Sequence, residues 1–208
     1  RAKVLRQKLA DLFEAQAQQQ KNNIAGAGTK FQPVQHPGAS GDGYHPTSTK
    51  KKALWGKFGA GGVAIKAQDT ERYLLIQRGP DSYSAPNQWY LPGGARESRE
   101  SVYQAAGREL VEETGASEDF TTALAHVGDY TVGNKKGWTY TSIGAAAPAE
   151  FNPKVDGRES VNAWWFTADE LREMRDKGKL HPALAGQLED VLALHGDTPK
   201  GGATSAPT

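Results

Sequence analysis

Cysteine is absent from the 208-residue chain, which excludes disulfides, thiolate metal sites and a cysteine nucleophile and accords with a reducing compartment. No run approaches eighteen consecutive apolar residues, and no signal-peptide hydrophobic segment opens the chain, so no membrane partner is expected. The expected location is the cytoplasm, or an assembly if the chain is part of a longer polypeptide. An excess of one charge is also missing. With 25 Lys and Arg against 24 Asp and Glu, the net charge is +1, so any polyanion site must be local. The five histidines show no metal-ligand spacing, and none is assigned a role. Walker and Gly-x-Ser-x-Gly motifs are absent, since the glycines of Gly59–Gly62 lack the following lysine and helix.

What is present divides the chain into four parts. Residues 1–22 place Leu5, Leu9, Leu12 and Phe13 at helical spacing without Gly or Pro, which predicts an amphipathic helix. Residues 23–52 turn to Gly, Pro, Ser, Thr, Gln and His and predict a linker or extended arm. The expected domain spans residues 53–196, and a flexible tail is expected over 197–208. Within the domain, Gly62–Lys66 and Arg72–Arg78 predict neighbouring strands, followed by strands in Thr121–Val132, Trp138–Pro148 and Asn162–Phe166. Thr167 with Glu170 forms a capping box for a helix ending at Gly178, and another helix is expected over Ala183–His195. Strands mixed with separated helices indicate an α/β (α+β) layered domain.

Acids crowd one stretch, Gly94–Ala116. Ser101 and Gln104 form a capping box, Gly115 supplies a stop, and Tyr103, Ala106 and Leu110 make an apolar stripe. At 100° per residue Glu109, Glu112 and Glu113 fall within an arc of about 100° beside that stripe. Like charges at these spacings cost about 0.2–0.5 kcal/mol per pair, and the last helical turn disfavours anions. A hard divalent cation reverses that cost, because Mg²⁺ and Mn²⁺ prefer oxygen ligands and leave positions open for water and phosphate. A solvated acidic face paired with surface Arg or Lys is the alternative that spacing alone leaves open.

The same stretch reads Gly94, five residues, Glu100, seven residues, Arg108-Glu109-Leu110, one residue, Glu112-Glu113, one residue, Gly115, then Ala116. It resembles the Nudix box at every charged and glycine position, and the "WYLPGG" of Trp89–Gly94 just before it also fits the family. The resemblance implies a Nudix-type α/β/α sandwich with a mixed sheet. It implies a metal-dependent hydrolase that cleaves the diphosphate linkage of a nucleoside diphosphate derivative by water attack on phosphorus, with Mg²⁺, or Mn²⁺, as cofactor. Carried over by position, the metal ligands are Glu109, Glu112 and Glu113 with the Gly94 carbonyl; Arg108 orients Glu100, which ranks first as a support and second as a ligand. The family's general base is either a box glutamate or one from a later loop, and Glu159 is the candidate of the second kind. Arg78, Arg158 and Lys154 are candidate phosphate contacts, and Trp138 and Tyr140 candidate base contacts.

The nucleotide-pool type of substrate is favoured, and nucleic acid is not indicated apart from capped RNA. A rival reading makes the chain a Nudix-fold binding module, docking a second copy or a larger assembly through residues 1–50 with little turnover. The intact box argues for catalysis.

Overall fold

The computed structural model describes residues 28–49, 54–82, 84–134 and 136–199, so the helix expected over residues 1–22 lies outside the described part. A seven-stranded mixed sheet organises the domain. Its main path runs β3 (Trp89–Tyr90), β2 (Tyr73–Arg78), β1 (Ala60–Ala67), β6 (Thr139–Ala147) and β5 (Ala125–Gly133). Strand β4 (Gly93–Ala95) pairs with β1, and β7 (Ser160–Phe166) pairs with β2. The β1–β6 ladder is parallel, from Ala60 opposite Tyr140 to Ala67 opposite Ala147, and the remaining ladders are antiparallel.

Position in the sheet explains composition. Strand β1 is covered on both faces and is buried throughout, which suits its unbroken apolar and small-residue run, whereas β5 at the edge carries exposed residues over much of its length. One face holds Val63, Ile65, Leu74, Ile76 and Ile143 against Ala106 and Leu110 of helix α1 (Val102–Thr114). The other holds Ala64, Tyr73, Leu75 and Leu91 against Leu171 of α3 (Ala168–Asp176) and Leu184, Leu188, Val191 and Leu192 of α4 (Pro182–Ala193). Helices on both faces make the expected α/β/α sandwich.

Helix α1 begins and ends where its caps predict. Ser101 accepts from the Gln104 N–H, the Gln104 side chain returns to the Ser101 N–H, and Gly115 closes the helix at φ 65°. The expected strand Thr121–Val132 begins only at Ala125, because Ser117 caps a short helix α2 (Glu118–Thr122) whose first turn carries Glu118 and Asp119.

The described part of the arm, residues 28–49, opens with a 3-10 turn (Gly28–Phe31) and is sewn onto the domain. Phe31 is fully buried in the α1 face of the core and meets Tyr103 edge-on at 6.2 Å. Gly107 of α1 lies so close to this turn that a Cβ there would stand 1.8 Å from the Phe31 carbonyl oxygen. Gln32 reaches Thr122 at 2.6 Å, and the N–H groups of Ser98 and Arg99 donate to the carbonyls of Ala39 and Pro37. The start of the expected tail is likewise tied down, since Asp197 accepts from the Tyr73 hydroxyl at 2.6 Å and pairs with Lys66 at 3.0 Å.

Candidate active site

Three pieces of backbone meet at the last turns of α1. Strand β1 holds β4 in register, Gly61 opposite Gly94 and Gly62 opposite Gly93, and α1 packs across both. That approach sets Glu109 against Gly94 so closely that a Cβ on the glycine would stand 2.4 Å from Glu109 Oε1. The Gly93 N–H donates to Glu113 Oε2 at 2.8 Å. The glycine pair thus gives two acids room to lie along the β4 backbone.

Arg108 braces the acids from within. Its Nε and Nη2 donate to the two oxygens of Glu100 at 2.8 and 3.1 Å, its Nη1 to Glu109 at 2.9 Å and Glu112 at 3.1 Å, and Nη2 also to the Ala95 carbonyl at 3.0 Å. Glu100 is 2% exposed and accepts a further bond from the Glu97 N–H. Both Glu100 oxygens are thus engaged, by Arg108 and the Glu97 N–H. Burial works against the charge on Arg108, and the Glu100 and Glu109 carboxylates more than offset it, so the guanidinium is held charged.

The electrostatics of the face call for a cation. Burial pushes the Glu109 carboxyl up to about 7 despite Arg108, with Glu112 and Asp42 adding repulsion. Burial and then the charge of Glu109 raise Glu113 well above the usual carboxylate range, against the Gly93 hydrogen bond. Hard oxygen donors, mutual repulsion and the side-chain-free cradle at Gly94 fit Mg²⁺ or Mn²⁺. As the side chains stand, no group of three or more His, Cys, Asp or Glu is drawn together to hold an ion among the described residues. Arg108 lies between Glu109 and Glu112, and Gly93 holds Glu113, so ion binding requires these carboxylates to turn.

The remaining expected residues divide. Glu159 and Arg78 both act on the Glu113 charge, one raising and one lowering its pKa, so the fold brings them toward the acidic face. Arg78 is steadied by its bond to the Ser84 carbonyl at 3.0 Å, and the Gly79 N–H holds the Glu159 carbonyl at 2.9 Å. Arg158 is exposed beside Glu159, and the Lys154 N–H caps the far end of α1 by donating to the Thr114 carbonyl at 2.7 Å. Tyr140 is buried and within the field of Glu113, whereas the Trp138 indole donates to the Trp55 carbonyl at 2.8 Å, on the arm side.

Three residues were missed in the sequence. Tyr90 packs 4.7 Å from His181 and 6.1 Å from Tyr140, ring centre to ring centre. Burial pushes its hydroxyl up to about 12, with Glu113 contributing. His181 caps α4 by accepting the Ala183 N–H, and burial followed by Arg78 lowers its pKa. Asp42 reaches Glu109 electrostatically because Gly41 and Gly43 on either side are pinned to the N–H groups of Lys57 and Gly56. Tyr90 lies within the "WYLPGG" segment and was open to suspicion; His181 and Asp42 carry no local signal.

With this geometry in place, comparison with known proteins is specific. The NUDIX domain family model matches residues 57–187. A Mycobacterium tuberculosis protein provisionally named 8-oxo-dGTP diphosphatase 3 is 35% identical over 164 residues, 76% of this chain and 72% of that protein. The crystal structure of a Nudix hydrolase from M. smegmatis, RenU, superposes with a TM-score of 0.60 at 28% identity, over 77% of this chain and 100% of that one. A MutT protein from Methanosarcina mazei shares the fold, with a TM-score of 0.50 at 18% identity, over 67% of this chain and 96% of that one.

Proposed function

The chain belongs to the Nudix family of pyrophosphohydrolases, and from that premise we propose that it is a divalent-metal-dependent enzyme that cleaves the diphosphate linkage of nucleotides of the free pool. The observation that carries the reading is the brace of Glu100 and Arg108, which holds Glu109 beside Gly94 and grips Glu112, with Glu113 on Gly93. A relative whose name specifies 8-oxo-dGTP supports a nucleoside triphosphate as substrate.

Glu109, Glu112, Glu113 and the Gly94 carbonyl would hold Mg²⁺ or Mn²⁺, which would supply charge neutralisation at the phosphates and a more acidic water. The residues do the rest. In the hydrolysis a water oxygen bonds to phosphorus, the bridging P–O bond breaks, and the leaving phosphate group carries away the bond's electron pair. The water's proton passes to a carboxylate, either Glu159 from its loop or a glutamate of α1. Arg78 and Arg158 bind phosphate oxygens, and Arg108 keeps the acids aimed. Tyr90 and Tyr140, next to Glu113 in the field, border the place where the nucleoside extends.

A nucleotide panel assayed with Mg²⁺ or Mn²⁺ tests the reading. Turnover to a nucleoside monophosphate and pyrophosphate is expected, to be lost on chelation and reduced by at least 100-fold in Glu112→Gln. A panel without metal-dependent turnover, or a Glu112→Gln variant as active as the parent, refutes it.

A further inference from the structure

The match to the family model begins at residue 57, yet the chain ahead of it reaches the acidic face. From Pro37 onward the arm runs antiparallel to residues 96–99, the stretch between β4 and α1. The Arg99 N–H donates to the Pro37 carbonyl at 2.8 Å, the Ser98 N–H to the Ala39 carbonyl at 3.0 Å, and the Ala39 N–H to Ser98 Oγ at 2.9 Å. Gly41 comes next, and a Cβ on it would stand 1.8 Å from the Arg96 carbonyl oxygen and 3.3 Å from Ala95 Cβ. As the arm advances from 37 to 41, its neighbour falls back from 99 to 95. The following residue, Asp42, is therefore delivered toward Gly94, the glycine against which Glu109 lies.

The other side of the arm is fixed as well. The Gly41 carbonyl accepts from the Lys57 N–H at 2.9 Å and the Gly43 carbonyl from the Gly56 N–H at 2.8 Å, just ahead of β1, whose Gly61 lies opposite Gly94. The Asp42 N–H donates to Ser40 Oγ at 3.1 Å. Only the side chain is uncommitted. It is exposed, and among the described residues no hydrogen-bond donor and no cation pairs with its carboxylate. Its charge opposes ionisation of Glu109, in agreement with this placement.

An exposed loop carboxylate ordinarily faces water or a surface cation, whereas this one is pinned on both sides near acids that already repel one another. Arg108 has nothing left for it. A guanidinium carries five N–H donors, and those of Arg108 are spent on the two oxygens of Glu100, on Glu109, on Glu112 and on the Ala95 carbonyl. The uncompensated charge must be met from solution. Hard divalent cations suit that demand, since they gather carboxylate oxygens from separate segments of a chain.

We propose that Asp42 is an additional carboxylate of the cation site, supplied by the arm rather than by the Nudix helix, which makes the arm part of the working enzyme. This rests on the metal-dependent pyrophosphohydrolase reading and extends its ion site to a residue outside the family frame.

Calorimetric titration of Mn²⁺ into the full, metal-free chain, with no nucleotide present, tests the assignment. Asp42→Asn keeps the size of the side chain and removes its charge; Asp69→Asn removes the same charge from the exposed turn beyond the other end of β1. Asp42→Asn is expected to bind Mn²⁺ at least about tenfold more weakly than the parent, with an unchanged melting temperature in EDTA, and Asp69→Asn to bind as the parent does. The loss should persist at about 0.5 M NaCl, where the field of a distant charge is screened. Equal affinity in Asp42→Asn, an equal loss in Asp69→Asn, a loss that disappears at high salt, or a lowered melting temperature in EDTA each overturns the assignment. The titration needs no substrate, so it decides the role of Asp42 even where the nucleotide panel fails. Metal-dependent turnover by a chain whose Asp42→Asn variant binds Mn²⁺ as the parent does keeps the hydrolase reading and refutes only the role of Asp42. A parent chain that takes up no Mn²⁺ refutes both.

Discussion

Phe31→Ala removes a fully buried ring from the α1 face of the core and so tests whether the extended arm is part of the folding unit. Truncating a buried Phe to Ala costs about 3–5 kcal/mol, the lost transfer free energy plus the cavity left behind. The edge-on contact with Tyr103 at 6.2 Å places the expected loss in the upper half of that range, about 4 kcal/mol. Relief by collapse is limited, because the Phe31 carbonyl is wedged against Gly107 and Gln32 is bonded to Thr122. Out of a typical stability of about 5–15 kcal/mol this is a large share. For a domain of this size it corresponds to a melting temperature lower by about 8–16 °C. Urea unfolding followed by circular dichroism, with Phe31→Leu as a control that retains most of the apolar volume, measures the change. A Phe31→Ala variant within about 1 kcal/mol of the parent refutes the claim that the arm is built into the core.

Two further outcomes follow from groups on opposite faces of the sheet. Arg108→Met leaves Glu100 buried without its cation and should cost about 3–5 kcal/mol in urea unfolding; a loss below about 1 kcal/mol would refute the claim that the pair is a structural brace. His195 is neutral in the fold, since burial lowers its pKa to about 4 and its Nε2–H donates to the Ala64 carbonyl. In the unfolded chain it binds a proton below about pH 6.5, so its contribution is complete above that pH and is lost as the pH falls toward 4. At about 1.4 kcal/mol per pH unit the loss reaches about 3 kcal/mol, and His195→Gln should flatten the stability profile over that window; an unchanged slope counts against the assignment.

Where structure follows from short-range chemistry, the sequence was sufficient. Helix α1 carries its capping box, its Gly115 stop and its apolar stripe within residues 101–115, and each operates as read. The frame of charges also anticipates which acid Arg108 grips. Short-range signals misled at α2, where Thr121 and Thr122 suggest a strand while the Ser117 cap and first-turn acids decide for helix. They were silent for Phe31, a lone ring between glycine- and proline-rich stretches with no periodicity to reveal its burial. His181 acquires meaning only when α4 is laid against Tyr90, a tertiary fact with no counterpart in local pattern.

The parallel ladder between β1 and β6 has a consequence in time. Its partners, Ala60 with Tyr140 and onward, are eighty positions apart, so the centre of the sheet forms only after a long loop has closed. The β5–β6 hairpin and α1 need no such closure. A refolding chain therefore makes its acidic helix early, before β1 is anchored and can hold β4 with the two glycines that receive Glu109 and Glu113. Helical signal should recover ahead of a competent site, and the interval between them is set by the slowest pairing in the sheet.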